Sequence, residues 1–329
     1  MDNPVPLEKA RTYFQYARER QQMFRRRERG DAPPWTDDAV MGSIYLCNVF
    51  REEDKTTVWF RENIRDQWKD DPIESFAFTV LFRWFNRIST GETLFKNTRI
   101  AGNWLHRLRC GQSPHEVGQW LSMEVENNCD RPYFTGAYMI KADNWMIKHL
   151  SISIAASKVV AAYIARTEAE KSTVLYDTLE GWTRWLTGFH GLGWFMAYEV
   201  VTDLRWTCIA DKSKDIMTWA NVGPGCARGL SRIYFDTARK GKGFIRNRQS
   251  ALDLMQWLLE LSQKEEFWPQ DETPWEMREC EHFLCEFDKI ERVKRGEGRS
   301  KRKYFPYQVK VQPRGEKHGT RERLQSHSG

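Results

Sequence analysis

Apolar residues recur at helical spacing along most of the chain, and clean alternation is nearly absent. Residues 4–29 carry Leu7, Ala10, Phe14, Ala17 and Phe24 along one side, the pattern of an amphipathic helix, which Gly30-Asp31-Ala32-Pro33-Pro34 ends. Residues 36–68 read as one or two helices with Thr36 or Asp37 as N-cap. Asp71-Pro72 opens the next, which runs to residue 88 with proline in its first turn. Further helices are predicted over 91–110, 114–127, 144–169, 173–185, 194–206, 226–239, 247–263 and 275–294. The expectation is an all-α body over residues 1–295 with no internal repeat. From Gly296 the composition turns polar and basic, so residues 296–329 read as a basic, partly disordered tail. Within it, Tyr304-Phe305-Pro306-Tyr307 is the stretch expected to dock on the body.

Composition sharpens this picture in three ways. The chain has 329 residues, ample for a real core. No stretch of about 18 residues is free of charge, so a transmembrane helix is not expected. The start, MDNPVPLEKARTYF, lacks a basic segment followed by an apolar run, so no signal peptide is expected either. The seven cysteines form no CxxC or Cys/His ligand cluster in sequence. A reduced, intracellular protein without structural zinc fits that usage. Charge is uneven. Residues 289–329 hold 13 Lys/Arg against 4 Asp/Glu, leaving 38 against 41 in the rest. The basic character therefore belongs to the tail, which points to a polyanionic partner or to a solubilising segment. The 15 Trp often stand beside Arg, as in Arg83-Trp84, Arg184-Trp185 and Arg205-Trp206. Such pairs serve as stacking platforms for bases, or as ordinary core.

Two glycine-rich loops precede helices. Gly191-Leu192-Gly193, after Phe189-His190, places an apolar residue between two glycines directly before an apolar helix, the pattern of a helix-hairpin-helix. Glycines allow close approach, and free N–H groups at the helix start bind phosphate without side-chain charge. An ordinary glycine turn between packed helices is the other reading. Asn221-Val222-Gly223-Pro224-Gly225 is the second loop, followed by Arg228 and Arg232 one turn apart. Amides plus guanidiniums suit a diphosphate or a DNA phosphate, and a structural turn with surface arginines is again the alternative. No GxxxxGK[ST] motif occurs, and Arg239-Lys240-Gly241-Lys242-Gly243 has the wrong spacing, so a P-loop kinase is not expected. Asp203, Asp211 and Asp215 lie between and after the loops.

Polar residues also interrupt apolar helices. Asn48, Arg51 and Asp54 share one face, as do Arg83, Asn86 and Arg87. Charges in such surroundings are costly unless paired or functional. One reading is a buried network, for example Asp54 with Arg83 or Arg87. The other is an anion pocket in which Arg51, Arg83 and Arg87 clamp phosphate oxygens. Residues 281–289 read as a solvated helix face with Phe283, Leu284 and Phe287 inward.

Residues 48–54, Leu81-Phe82-Arg83-Trp84-Phe85-Asn86-Arg87, the two glycine loops and residues 281–289 together resemble the alpha-glutamyl/putrescinyl-thymine pyrophosphorylase family of bacteriophages. The helical domain attached to 5-hydroxymethyluracil DNA kinases is related to that family. The resemblance runs from about residue 36 to residue 304. It implies a divergent helix-hairpin-helix DNA-glycosylase-like fold. In the absence of a P-loop, it also implies the stand-alone amino acid:DNA transferase. Such an enzyme joins an amine, such as that of an amino acid, to the base methylene of pyrophosphorylated 5-hydroxymethyluracil in phage DNA and releases pyrophosphate.

That chemistry assigns expected roles. Arg83, with Arg51, Arg87, Asn48 and Asn86, would hold the pyrophosphate; Gly223, Gly225 and Arg228 form a second candidate cradle. Asp54 and Asp215 would orient an arginine or deprotonate the amine. Gly191, Gly193, Lys301, Arg302 and Lys303 would contact duplex DNA. The base must leave the stack to react. No cofactor is expected, with Mg²⁺ assistance left open. The expected partners are double-stranded phage DNA and a free amino acid, glycine by choice, in the cytoplasm of an infected bacterial host. A helix-hairpin-helix DNA glycosylase and a non-catalytic DNA-binding module of a modification complex are the competing readings.

Overall fold

A computed structural model describes residues 7–136, 142, 146–238, 247–299 and 303–305. Thirteen helices account for these residues: α1 Leu7–Arg29, α2 Lys55–Phe60, α3 Asp66–Trp68, α4 Pro72–Phe85, α5 Ile88–Gly91, α6 Ile100–Arg109, α7 Pro114–Asn128, α8 Lys148–Glu170, α9 Leu179–Thr187, α10 Trp194–Leu204, α11 Pro224–Phe235, α12 Arg248–Ser262 and α13 Met277–Lys294. Wider π-helical turns, Arg61–Arg65 and Glu92–Asn97, extend α2 into α3 and lengthen α5. Among the described residues no strand forms; one antiparallel bridge joins Ile44 to Lys303. The all-α expectation holds.

Local chemistry explains the helix ends. Prolines stand in the first turns of α4, α7 and α11, where a missing N–H costs nothing. The Thr178 hydroxyl accepts from the Gly181 amide and starts α9 at residue 179 rather than at the expected 173. Asn247 caps α12, and Glu276 with Glu279 forms a reciprocal box at the start of α13.

The expected helix within residues 36–50 is absent. Asp38 accepts from the amides of Val40 and Met41, which sets a turn where a helix would have begun. Trp35, Met41, Ile44 and Leu46 then fill a small second core with Met23 and Ile290. The Tyr304 amide donates to the Ser43 carbonyl at 2.9 Å, and its ring lies 6.4 Å from that of Trp35. Tyr304 thus docks on the body, whereas Phe305 is exposed and Pro306 and Tyr307 lie outside the described residues.

α4 and α10 are the central helices. Every residue from Ser75 to Phe85 and from Met196 to Leu204 is buried, so neither helix has a face for solvent. The polar side chains they carry must therefore pair inside the protein. α8 is long and apolar enough to cross a membrane by length and composition, yet 61% of its apolar window is buried against the rest of the chain. It crosses α7 so closely that a Cβ on Gly118 would lie 2.4 Å from the Ile154 Cα. α1 closes the body by packing on α13. The Tyr13 hydroxyl donates to the Cys280 carbonyl at 3.3 Å, and its ring meets Trp275, Phe283 and Phe287 edge-on.

Candidate functional site

The polar residues of the two central helices converge on Asp203, which is fully buried. Arg83 grips both of its oxygens, with Nη2 to Oδ1 at 2.8 Å and Nε on Oδ2. Arg51 reaches Oδ2 at 3.4 Å and Glu199 Oε2 at 3.1 Å, and bonds Thr202. Arg65 stands 3.8 Å from Asp203 Oδ1 and binds Glu52 through two bonds of 2.8 and 2.6 Å. Three guanidiniums thus face three carboxylates. Burial pushes the Asp203 carboxyl up, but Arg83, Arg51 and Arg65 outweigh it and hold it below the usual range. The remaining bonds of Arg83 go to Asn86 Oδ1 and the Thr57 hydroxyl.

This geometry corrects the expected phosphate clamp. Arg83 is saturated by internal partners, and its acid is Asp203 rather than Asp54. Arg87 is not in the cluster; its Nε donates to Ser89 Oγ at 2.9 Å. Asn86 supports Arg83 from a left-handed position, φ 47°, at the end of α4.

Arg51 has a second side, facing α13. There Arg278 Nη1 donates to Glu281 Oε2 at 3.2 Å, and its Nη2 lies 3.9 Å from Glu199 Oε1. Burial, opposed by Arg278 and aided by Glu199, raises the Glu281 carboxyl to about 7. One turn along, His282 Nε2 lies 4.0 Å from Asp54 Oδ2. Burial drives this imidazole well below its ordinary pKa, so it is neutral, and raises Asp54 to about 6. Asp54 Oδ1 accepts from the Asn48 amide at 3.0 Å, and Asn48 Nδ2 donates to the Glu53 carbonyl at 2.7 Å. Cys47 completes a group of donor atoms within 4.8 Å of one another, Cys47, Asp54 and His282, which could hold a metal ion. Phe283, Leu284 and Phe287 point inward as expected, but the opposite face is not solvated: Glu286 and Asp288 are buried, and Glu286 accepts from the Cys47 amide at 3.2 Å.

A narrow cleft opens beside Arg51. It is lined by Tyr198, Thr202, Arg205, Trp206, Trp219, Glu276, Arg278 and Glu279, among others. Three buried side-chain nitrogens of its lining have no hydrogen-bond partner: Arg205 Nε, Trp219 Nε1 and Arg278 Nε. All three are donors. Arg205 is anchored by Glu276 at 2.8 Å and stacks over Trp206 at 4.8 Å; Arg278 lies 5.7 Å from the Tyr198 ring. A roomier hollow, lined by Ile73, Arg109, Glu168 and Lys171, contains no such orphaned group among the described residues. Sequence reasoning did not select Arg205, Arg278 or Trp219 as site residues, although Arg205-Trp206 stood out as a pair.

The two glycine loops are built differently. Gly191, at φ +83°, turns the first; Leu192 is buried beneath it, and a Cβ on Gly193 would meet open space. The first amides of α10 are thus accessible beside exposed Trp194, whose ring lies 4.6 Å from the Arg248 guanidinium and 5.9 Å from that of Arg184. In the second loop a Cβ on Gly225 would lie 2.7 Å from the Cys285 sulfur, so that glycine serves the contact with α13. Gly223 is the N-cap of α11. Arg228 and Arg232 both bind Asp288 through Nε at 2.8 Å. Asp215 is also occupied: its two oxygens accept from the amides of Leu179 and Glu180 at the start of α9. Lys303 is exposed, whereas Lys301 and Arg302 lie outside the described residues.

Comparison with known proteins adds the family. The family model of the 5-hmdU DNA kinase helical domain matches residues 8–300. The 5-hmdU DNA kinase of Bacillus phage SP10 is 27% identical over 244 residues, covering 68% of this chain and 36% of that protein. The chain thus spans about a third of the length of that curated relative. No solved structure matches.

Proposed function

The chain belongs to the 5-hmdU DNA kinase helical-domain family, and on that premise we propose that it works in phage thymidine hypermodification, as the transferase that joins an amine to pyrophosphorylated 5-hydroxymethyluracil in DNA. The observation that carries the reading is the cleft whose orphaned buried groups, Arg205 Nε, Trp219 Nε1 and Arg278 Nε, are all donors. A buried donor without a partner costs about 1–3 kcal/mol. An anion accepting from these donors would offset that cost.

The reaction assigns them work. The amine nitrogen forms a bond to the base methylene, the methylene–oxygen bond breaks, and pyrophosphate departs with the electron pair. Charge grows on the leaving oxygen, where preset guanidinium and indole N–H groups stabilise it. The amine must lose its proton, and Glu281, held by Arg278, is our choice of acceptor. The cleft holds only about 20 Å³, so admitting a flipped base among Tyr198, Trp206 and Trp219 requires it to widen. The exposed amides of the Gly191–Gly193 hairpin, with Arg184 and Arg248 beside Trp194, supply the phosphate contacts that hold the duplex. Two helices joined by that hairpin are consistent with a helix-hairpin-helix ancestry, and the place of action would be the cytoplasm of the infected host.

The test uses the full chain, DNA carrying the pyrophosphorylated base, and a mixture of amino acids. Released pyrophosphate is measured together with the mass of the nucleosides. The unaltered protein should give an aminated nucleoside and one pyrophosphate per event, and hydroxymethyl DNA, lacking the leaving group, should not react. Arg205→Lys and Arg278→Lys keep the charge but lose the fork, and should turn over about ten- to a thousandfold more slowly with little change in melting. Full turnover in both variants would remove the cleft from the reaction. No adduct with any amine would remove the transferase reading itself.

A further inference from the structure

We propose that Cys47, Asp54 and His282 form a binding site for one transition-metal ion of the zinc class. The inference stands independently of whether the neighbouring cleft holds pyrophosphate. The three donor atoms lie within 4.8 Å of one another, brought together from the loop before α2 and from α13. The edges of a tetrahedral zinc site measure roughly 3.3–3.8 Å, given metal–ligand bonds of about 2.0–2.3 Å. Closing around an ion therefore asks these side chains to move by about 1 Å.

The chemistry of the group calls for a cation. His282 Nε2 is buried and has no hydrogen-bond partner. The ring's hydrogen bond goes to the Asn48 backbone, the kind of outer contact that orients a metal-bound imidazole. Asp54 Oδ1 is taken by the Asn48 amide, which leaves Oδ2 facing the ring at 4.0 Å. An imidazole nitrogen without a hydrogen-bond partner and a carboxylate oxygen facing it at 4.0 Å leave a gap that a cation would bridge. The Cys47 thiol supplies a third donor and becomes a thiolate on binding.

The identity of the ion follows from the surroundings. Arg20, Arg51, Arg278 and Lys289 all act on these groups, so a hard ion held by charge alone is disfavoured. Sulfur and imidazole ligation selects a softer ion through bonding. Three protein ligands leave one position vacant in a tetrahedral shell, and the Asp54 side chain retains 28% of its exposure, so a small ligand from solvent has access.

The test begins with metal-free full-length protein. Cobalt(II) alone should bind one ion per chain with a thiolate charge-transfer band, and zinc alone should displace it. Cys47→Ser should lose the band, and His282→Gln should weaken zinc binding by at least about tenfold, with both variants melting like the parent. In the unaltered protein, zinc should also slow alkylation of Cys47 while leaving exposed Cys110 unaffected. That measurement decides the matter if either variant fails to fold. A cobalt spectrum without thiolate character, a band that survives in Cys47→Ser, or alkylation of Cys47 that zinc does not slow would each overturn the site.

Discussion

The glycine loops at Gly191–Gly193 and Gly223–Gly225 look alike in sequence, both glycine–x–glycine before an apolar helix. Their surroundings make them opposites. The first leaves its amides in the open, with arginines and an exposed tryptophan around it. The second presses Gly225 against Cys285, and Gly229 one turn along the helix meets the Leu284 carbonyl, while a Cβ on Gly223 would meet nothing nearer than 4.0 Å. The same residue type serves access in one loop and contact in the other. The motif alone carries no distinction between them, because what differs is the segment that packs alongside. Residues 281–289 arrive there from over 50 positions further along the chain.

The contrast predicts effects of very different size. Gly229→Ala comes first. Its Cβ would sit 2.3 Å from the Leu284 carbonyl oxygen, and backbone cannot turn aside as a flexible side chain does. We expect a loss of about 3 kcal/mol or more in denaturant unfolding, and an unchanged midpoint would refute the contact. The second effect belongs to the helix that the second loop leans on. Burial raises Glu279, on α13, from 4.5 to about 8. The folded state then keeps a proton that the unfolded chain releases, so the contribution of Glu279 to stability is greatest below pH 4.5 and falls as the pH rises to about 8. Glu279→Gln, which retains an acceptor for the Glu276 amide, should flatten the fall between pH 5 and pH 8. An equally steep fall in that variant would assign the proton elsewhere. The smallest stability effects lie in the first loop. Gly191→Ala should cost about 1–2 kcal/mol, for its positive φ alone. Gly193→Ala should leave melting nearly unchanged yet weaken duplex DNA binding, since the added methyl would stand before the open amides. Undiminished DNA affinity would take the hairpin out of the interface.

Much of the fold was legible because helices announce themselves by period. α10, α11, α12 and α13 all begin and end within about four residues of the expected positions. Residues 36–50 misled because an irregular apolar segment and a buried helix carry the same composition. What separates them is the Asp38 turn and the small core under Trp35. The site was harder to read for a different reason. Arg51 and Arg83 were visible as charges in apolar surroundings, but their partner Asp203 lies 152 and 120 positions away. No local pattern reveals whether such an arginine is already satisfied. The acids of α13 misled in the opposite sense: charged residues read as solvent-facing, yet Glu286 is held by the Cys47 amide and Lys289. The groups that remain unpartnered, Arg205 Nε and Arg278 Nε, are recognisable only once every neighbour has been placed.

The packing of α1 on α13 also sets a timetable for synthesis. Tyr13 finds its acceptor on Cys280, 267 residues later in the chain. At ~5–20 residues per second a ribosome needs roughly 13–53 s to make that stretch. Through that interval the apolar stripe of the first helix has been made and its partner has not. Nascent chains stopped short of residue 277 would lack the whole of α13, and with it the surface that α1, α11 and the loop before α2 share. The emergence of α13 is therefore the step at which α1 gains its partner, and chaperone engagement of the N-terminal segment should end then.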